Sequence, residues 1–406
     1  MIPMRKFTFL LLSTALISQA ADWPQWRGPS RDGVVAGKWP GDLEKLEKVW
    51  HVELQPSYSS PVIMGDRVFT TETVSKKLER VRALDRGTGK VLWEKTWEGA
   101  MSVPFFAKRN GDWIRATPAC DGKTLFVTGM RDLIVALDVK SGEERWKIDF
   151  SAKYNKPLPA FGAVSSPLLD GDALYVQAGG ALCRLDKKTG DVKWRSVEDE
   201  GGMMGGAFAS PAFGVLGGKR QLLVQTREKL AGVDPESGAV LWSQTIEAFR
   251  GMNIGTPFAI GDILCTSTYG GKTSGWRVKE AAGKWTVEPA WEHKSQGYMT
   301  TPVVVKGTAF TSLKSGRMMA IDVATGAERW TSSESFGDYV SLATNGERVL
   351  GLDTKGSLFL MEGYGDKFTR LGTKKISDSE TWAHVAVCGE DVFIRELDGM
   401  TLWRWR

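Results

Sequence analysis

Short apolar runs, each stopping at an aspartate and each followed by a small polar turn, punctuate this chain. The clearest reads Ala83-Leu84-Asp85-Arg86-Gly87-Thr88-Gly89-Lys90-Val91-Leu92-Trp93. It recurs around Asp138, Gly142 and Trp146, around Asp186, Gly190 and Trp194, around Asp234, Gly238 and Trp242, and around Asp322, Gly326 and Trp330. In all five copies glycine stands four positions after the aspartate and tryptophan eight. Each residue type has a local reason for its place. The short carboxylate accepts backbone N–H groups of the turn, Thr or Ser adds a second local bond, and Gly supplies the positive φ of a tight hairpin. The second strand of the hairpin carries the tryptophan, whose burial contributes roughly 2 to 3 kcal/mol where it packs fully.

Units of this kind, repeating every ~40 to 50 residues, predict a propeller or a solenoid. Strand starts are marked by Ser60-Pro61, Thr117-Pro118, Ser166-Pro167, Ser210-Pro211, Thr256-Pro257 and Thr301-Pro302. Proline at the first position of a strand sacrifices no ladder hydrogen bond. Aligning the later turns Asn345-Gly346 and Gly389-Glu390 to these adds starts at Ser341 and His384, giving eight units. The fifth replaces the motif with Gly275-Trp276-Arg277-Val278 and offers Trp285 or Trp291; the seventh uses Asp353-Thr354-Lys355-Gly356 with Phe368 and no tryptophan. A segment from Lys48 to Leu54 carries Trp50 like an outer strand with no unit before it, and Asp391–Leu397 with Met400–Trp405 lack an outer strand after them. Together they predict one closed unit, which removes the open sheet edges that invite aggregation. Thr71–Glu79 and Trp97–Trp113 are expected to project from the rim.

The motif resembles the tryptophan-docking repeat of the pyrroloquinoline-quinone (PQQ) repeat propellers. That group includes quinoprotein alcohol dehydrogenases and non-catalytic outer-membrane assembly lipoproteins of the BamB type. The resemblance covers residues 46–406 and implies an all-β, eight-bladed propeller of four-stranded antiparallel blades, closed by its N-terminal strand. Residues 21–45, with Asp22-Trp23-Pro24-Gln25-Trp26-Arg27-Gly28-Pro29-Ser30-Arg31-Asp32-Gly33, resemble the N-terminal segment of bacterial PQQ-repeat proteins and are expected to form an arm over one face.

Residues 1–20 have the three parts of a secretory signal: Arg5-Lys6, an apolar run from Phe7 to Ile17, and Ser18-Gln19-Ala20 before Ala21. The apolar run is too short for a membrane span, and no cysteine stands at the cleavage point to take a lipid anchor. A periplasmic or secreted monomer is expected. Setting aside Arg5 and Lys6 leaves 51 basic against 48 acidic residues, too even a balance to argue for nucleic acid. Cys120, Cys183, Cys265 and Cys388 lack metal-ligand spacing and are read as buried free thiols, with one disulfide between neighbouring blades as the alternative in an oxidising compartment.

In a propeller the inner strands line a channel, and the loops entering them form its mouth. Three positions before each Pro-equivalent stand Tyr58, Arg115, Val164, Phe208, Ile254, Met299, Tyr339 and Trp382, and immediately before it are seven hydroxyls and His384. The candidate ligand- or partner-binding residues are therefore Tyr58, Arg115, Phe208, Met299, Tyr339, Trp382 and His384. The loop Gly201-Gly202-Met203-Met204-Gly205-Gly206 adds adaptable methionines nearby.

The resemblance by itself does not separate enzyme from scaffold. Quinoprotein dehydrogenases use adjacent cysteines, a catalytic Asp and a Ca²⁺ site, and this sequence has no Cys-Cys pair, no C-x-x-C-H and no Gly-x-Ser-x-Gly elbow. The expectation is a non-catalytic propeller without cofactor or metal that binds an envelope protein or a small molecule. A PQQ-dependent oxidoreductase holding PQQ with Ca²⁺ is the alternative, and a carbohydrate-binding propeller a third.

Overall fold

The computed structural model describes residues 22–406; the signal-peptide reading of residues 1–20 lies outside them. Within them the chain forms eight four-stranded antiparallel sheets. Blade one runs Val62–Met64, Arg67–Val74, Leu78–Asp85, Val91–Glu98, inner strand to outer. Blades two to seven repeat that order, their inner strands being Ala119–Cys120, Leu168–Asp170, Ala212–Leu216, Phe258–Ile260, Val303–Val305 and Val340–Thr344. Blade eight combines Ala386–Cys388, Asp391–Arg395 and Gly399–Trp405 with the N-terminal Leu46–Glu53 as its outer strand. The ring is closed by the pairing that the sequence predicts.

Burial follows from this stacking. Second strands such as Thr124–Gly129 are buried at every position, because a neighbouring blade covers each face. Outer strands such as Val91–Glu98 alternate between exposed and half-buried residues. The blades are locked to each other by the motif. Trp93 of blade one donates its indole N–H to the Val139 carbonyl of blade two at 2.9 Å, and its ring lies against Gly142. A Cβ on Gly142 would come within 2.5 Å of that ring, and the residue sits at φ +72°, so both contact and turn require glycine. Trp146, Trp194 and Trp291 dock in the same way on Gly190, Gly238 and Gly326. Trp50, on the N-terminal strand, docks on Gly89 and donates to the Arg86 carbonyl, so the closure of the ring uses the same lock.

Trp242 and Trp330 precede blades five and seven, which lack the motif, and both depart from the pattern. The Trp242 indole bonds to Gln221 of its own blade, and Trp330 packs edge-on against Phe368. In each intact motif Asp Oδ1 accepts the turn N–H groups, as in Thr88 N–H to Asp85 at 2.8 Å.

The strand-start hydroxyls have a use that the sequence did not disclose. The amide N–H of Ser60 donates to Thr117 Oγ1, that of Thr117 to Ser166 Oγ, and so on through Ser210, Thr256 and Thr301, over 2.9 to 3.1 Å. These bonds form a belt from blade to blade around the channel. Two expectations need correction. Thr71–Glu79 does not project: it lengthens the central hairpin of blade one and buries Glu72 and Glu79 completely. Trp97–Trp113 folds inward through a 3₁₀ turn, Phe105–Asn110, over the channel mouth. All four cysteines are buried free thiols.

Candidate functional site

The channel holds a cavity of about 380 Å³, within the ~300 to 1,000 Å³ range of small-molecule sites. All seven candidate residues line it: Tyr58, Arg115, Phe208, Met299, Tyr339, Trp382 and His384. Because they occupy equivalent positions in successive blades, the ring symmetry brings residues more than 300 positions apart to one wall. Tyr58 and Trp382 approach to 5.6 Å between ring centroids, and Trp382 lies nearly parallel to Tyr339, 8° apart in plane. Arg115 sits over the Tyr58 ring at 5.7 Å and is held by a bond from Nη2 to the Gly111 carbonyl. Burial raises the Tyr58 phenol to about 12 and pushes the Tyr339 phenol further up, so both remain neutral donors.

Across the channel a second wall joins Phe208 and the glycine-rich loop to residues the sequence reading did not single out. Arg227, at the tip of the turn after Lys219–Gln225, lies 4.8 Å over Phe208 and 5.3 Å over Phe161. Its guanidinium donates to the Met203 and Arg250 carbonyls and so joins two mouth loops. Asp199 orders the glycine-rich loop by accepting N–H groups of Gly201 and Gly206. Phe106, Phe249, Arg250 and Met252 complete the mouth. Only the aromatic and arginine content of these loops signalled them, since their inward turn depends on contacts between blades.

The floor comes from the N-terminal arm. Residues 22–35 cross the ring on the side opposite the mouth: Trp23 pairs with Ile63, Pro24 accepts from Cys120, Gln25 from Leu169, and Gly33 and Val35 bracket Thr344. Trp26 lines the cavity, with the Arg27 and Arg31 guanidinium carbons 5.5 and 5.2 Å from its ring. Both arginines are buried and donate to backbone carbonyls of distant blades, Arg27 to Pro302 and Arg31 to Pro167 and Ser166. Desolvation lowers Arg27 to about 10 and Arg31 to about 9, the latter with Arg27 as its charged neighbour. His384 stacks on Trp23 and meets Trp26 edge-on. Burial, reinforced by Arg27, takes its pKa down to about 3, so it is a neutral imidazole at physiological pH.

The chemistry of this site is aromatic and cationic. Its lining contains hydroxyls, rings and guanidinium groups but no Asp, Glu, Asn or Gln among the described residues. Eight four-stranded blades with tryptophan-to-glycine docking around an aromatic channel define a PQQ-like repeat propeller.

Comparison with known proteins agrees. A family profile described as outer membrane protein assembly factor BamB matches residues 77–332, more than half of the chain. The chain belongs to this family. It is 23% identical to BamB of Moranella endobia over 337 residues, covering 77% of this chain and 71% of that protein. It is also 30% identical over 172 residues to the serine/threonine-protein kinase AfsK of Streptomyces griseus, covering 41% of this chain and 19% of the kinase. Among solved structures, BamB from Moraxella catarrhalis superposes with a TM-score of 0.65 at 16% identity, over 89% of this chain and 98% of that one. A quinohemoprotein alcohol dehydrogenase from Pseudomonas putida gives 0.55 at 11% identity, over 95% and 80%. These likenesses concern the fold.

Proposed function

We propose that this protein is an exported, non-catalytic scaffold of the cell envelope that grips a protein partner at its channel mouth. The observation that carries this reading is an arc of exposed apolar side chains on the mouth loops that enter blades two, four and five. Phe105 is 85% exposed, Phe106 53%, Met203 51%, and Phe249 and Met204 about as much. Large apolar groups gathered in water mark an interaction surface, and methionines on a glycine-rich loop adapt to a partner's shape. The arc borders blades two to five, so the mouth has one apolar side.

The residues do not fit a Ca²⁺–PQQ centre. Ca²⁺ takes six to eight oxygen ligands, mainly carboxylates and carbonyls, and the cavity lining supplies no side-chain carboxylate or amide among the described residues. Glu380, which accepts the Trp382 indole N–H at 2.7 Å, stands outside the lining. The same lack leaves no carboxylate to act as a base on an alcohol.

A photo-cross-linking residue placed at position 105 in cells tests the proposal, with position 215, exposed on blade four, as control. We expect one discrete envelope protein cross-linked from 105 and not from 215, and the adduct lost on Met203→Asp/Met204→Asp. Equal cross-linking from both positions, or PQQ binding that requires Ca²⁺ in calorimetry, would overturn it.

A further inference from the structure

The glycine-rich loop that enters blade four carries Met203 and Met204 at its tip, 51% and 45% exposed. They are the exposed methionines among the described residues, whereas Met130, Met318, Met319, Met361 and Met400 are fully buried. The backbone beneath the two thioethers is pinned from several sides. Asp199 accepts the Gly201 and Gly206 N–H groups at 2.7 and 3.2 Å, the Gly202 carbonyl accepts the Ala160 N–H at 3.0 Å, and Arg227 donates to the Met203 carbonyl at 2.8 Å. Gly201, Gly202 and Gly206 all sit at positive φ, which turns the loop back on itself. The two side chains therefore stand in water on a fixed base, where an oxidant reaches the sulfur and a change at the sulfur displaces no core packing.

We infer that Met203 and Met204 are a reversible oxidation site, and that their conversion to sulfoxides releases the partner gripped at the mouth. The inference rests on the apolar arc being the partner surface, as proposed above. The step is a two-electron oxygen transfer from a peroxide. A sulfur lone pair attacks one peroxide oxygen, the S–O bond forms as the O–O bond breaks, and the departing hydroxide takes up a proton and leaves as water. Sulfur is oxidised by two electrons and the peroxide is reduced by two. A methionine sulfoxide reductase reverses the change with two thiols, which end as a disulfide while the oxygen leaves as water. Oxidation replaces an apolar, adaptable thioether with a polar, chiral group. The sulfoxide oxygen is a hydrogen-bond acceptor, and covering it with a partner's apolar surface leaves it unpaired, which weakens the grip by about tenfold or more for each sulfoxide. Phe105, Phe106 and Phe249, the rest of the arc, carry no sulfur, so the response is confined to the one loop.

Two measurements test the inference. Peptide mass spectrometry of the purified protein after graded hydrogen peroxide treatment should find sulfoxide forming at Met203 and Met204 roughly tenfold faster than at Met130 or Met318, with the thermal melt unchanged. In cells carrying the photo-cross-linking residue at position 105, the adduct should be lost on peroxide treatment and recovered once the sulfoxides are reduced. Met203→Leu/Met204→Leu should keep the adduct and make it insensitive to peroxide. Met203→Gln/Met204→Gln, which puts a polar amide in place of each thioether, should lack the adduct without any oxidant. No adduct in untreated cells would overturn the partner surface and this inference with it. An adduct that persists while both methionines are oxidised, an adduct lost equally in the leucine variant, or sulfoxides that form no faster at 203 and 204 than in the core would overturn this inference alone.

Discussion

His384 illustrates what burial does to a residue that looks functional in a sequence. Its place at a strand start put it at the channel, and the structure keeps it there, but between Trp23 and Trp26 and close to Arg27. The neutral ring survives to about pH 3 in the folded protein, whereas an unfolded histidine takes up its proton near pH ~6.5. Between those values the unfolded state binds the extra proton, so His384 lowers stability as pH falls from 6.5 toward 3. Glu79 and Asp132 act in the opposite sense. Desolvation raises their carboxyls to about 7 and about 6, so the folded state holds protons that the unfolded state releases, and stability is lost as pH rises through that range. The test is a series of melting temperatures from pH 7.5 to 4.5. Wild type should lose more on acidification than His384→Gln, and superimposable curves would show that His384 is not held neutral. Nothing in the sequence marked Glu79: it sits in a stretch that reads as an insertion, and only its bonds from Met130 N–H and the Trp97 indole explain its burial.

At the scale of the element, the hairpin motif was legible down to single positions because its chemistry is local. Aspartate, hydroxyl and glycine act within five residues of one another, and a fixed offset brings the tryptophan to the neighbouring blade. Trp146→Ala should destabilise the protein by about 3 kcal/mol in urea unfolding, since the ring docks on Gly190, lies against Phe126 and donates to the Lys187 carbonyl. Gly190→Ala, at φ +79° with its Cβ 2.9 Å from the same ring, attacks the same lock. The double variant should therefore cost clearly less than the sum of the two singles; strict additivity would mean that ring and glycine do not act as a unit. The strand-start hydroxyls were equally visible as a pattern, and their reason was not. Their partners are amides of the adjacent blade, 44 to 57 residues away, and no local rule points to them.

The whole molecule depends on closure. Leu46–Glu53 supplies the outer strand of blade eight, and Trp50 carries the docking lock across the seam. Deleting residues 46–54 should leave a three-stranded blade with an open edge, and the product should aggregate on gel filtration; a soluble, cooperatively melting product would refute closure as the source of stability. The N-terminal arm extends the same logic by crossing beneath the ring and bonding to blades one, two, three, six and seven. By itself the sequence determined the repeat, the number of blades, the seam and the register that places Tyr58, Arg115 and Trp382 on one channel, because each rests on short-range turn chemistry repeated at constant spacing. Only the tertiary structure decided that Trp26 is the floor, that Phe106, Arg227 and Phe249 close the mouth, and that the cavity lining brings arginines and no acidic side chain together among the described residues. Those arrangements are set by loops and an arm meeting across the ring, where contacts between residues far apart in sequence override local preference.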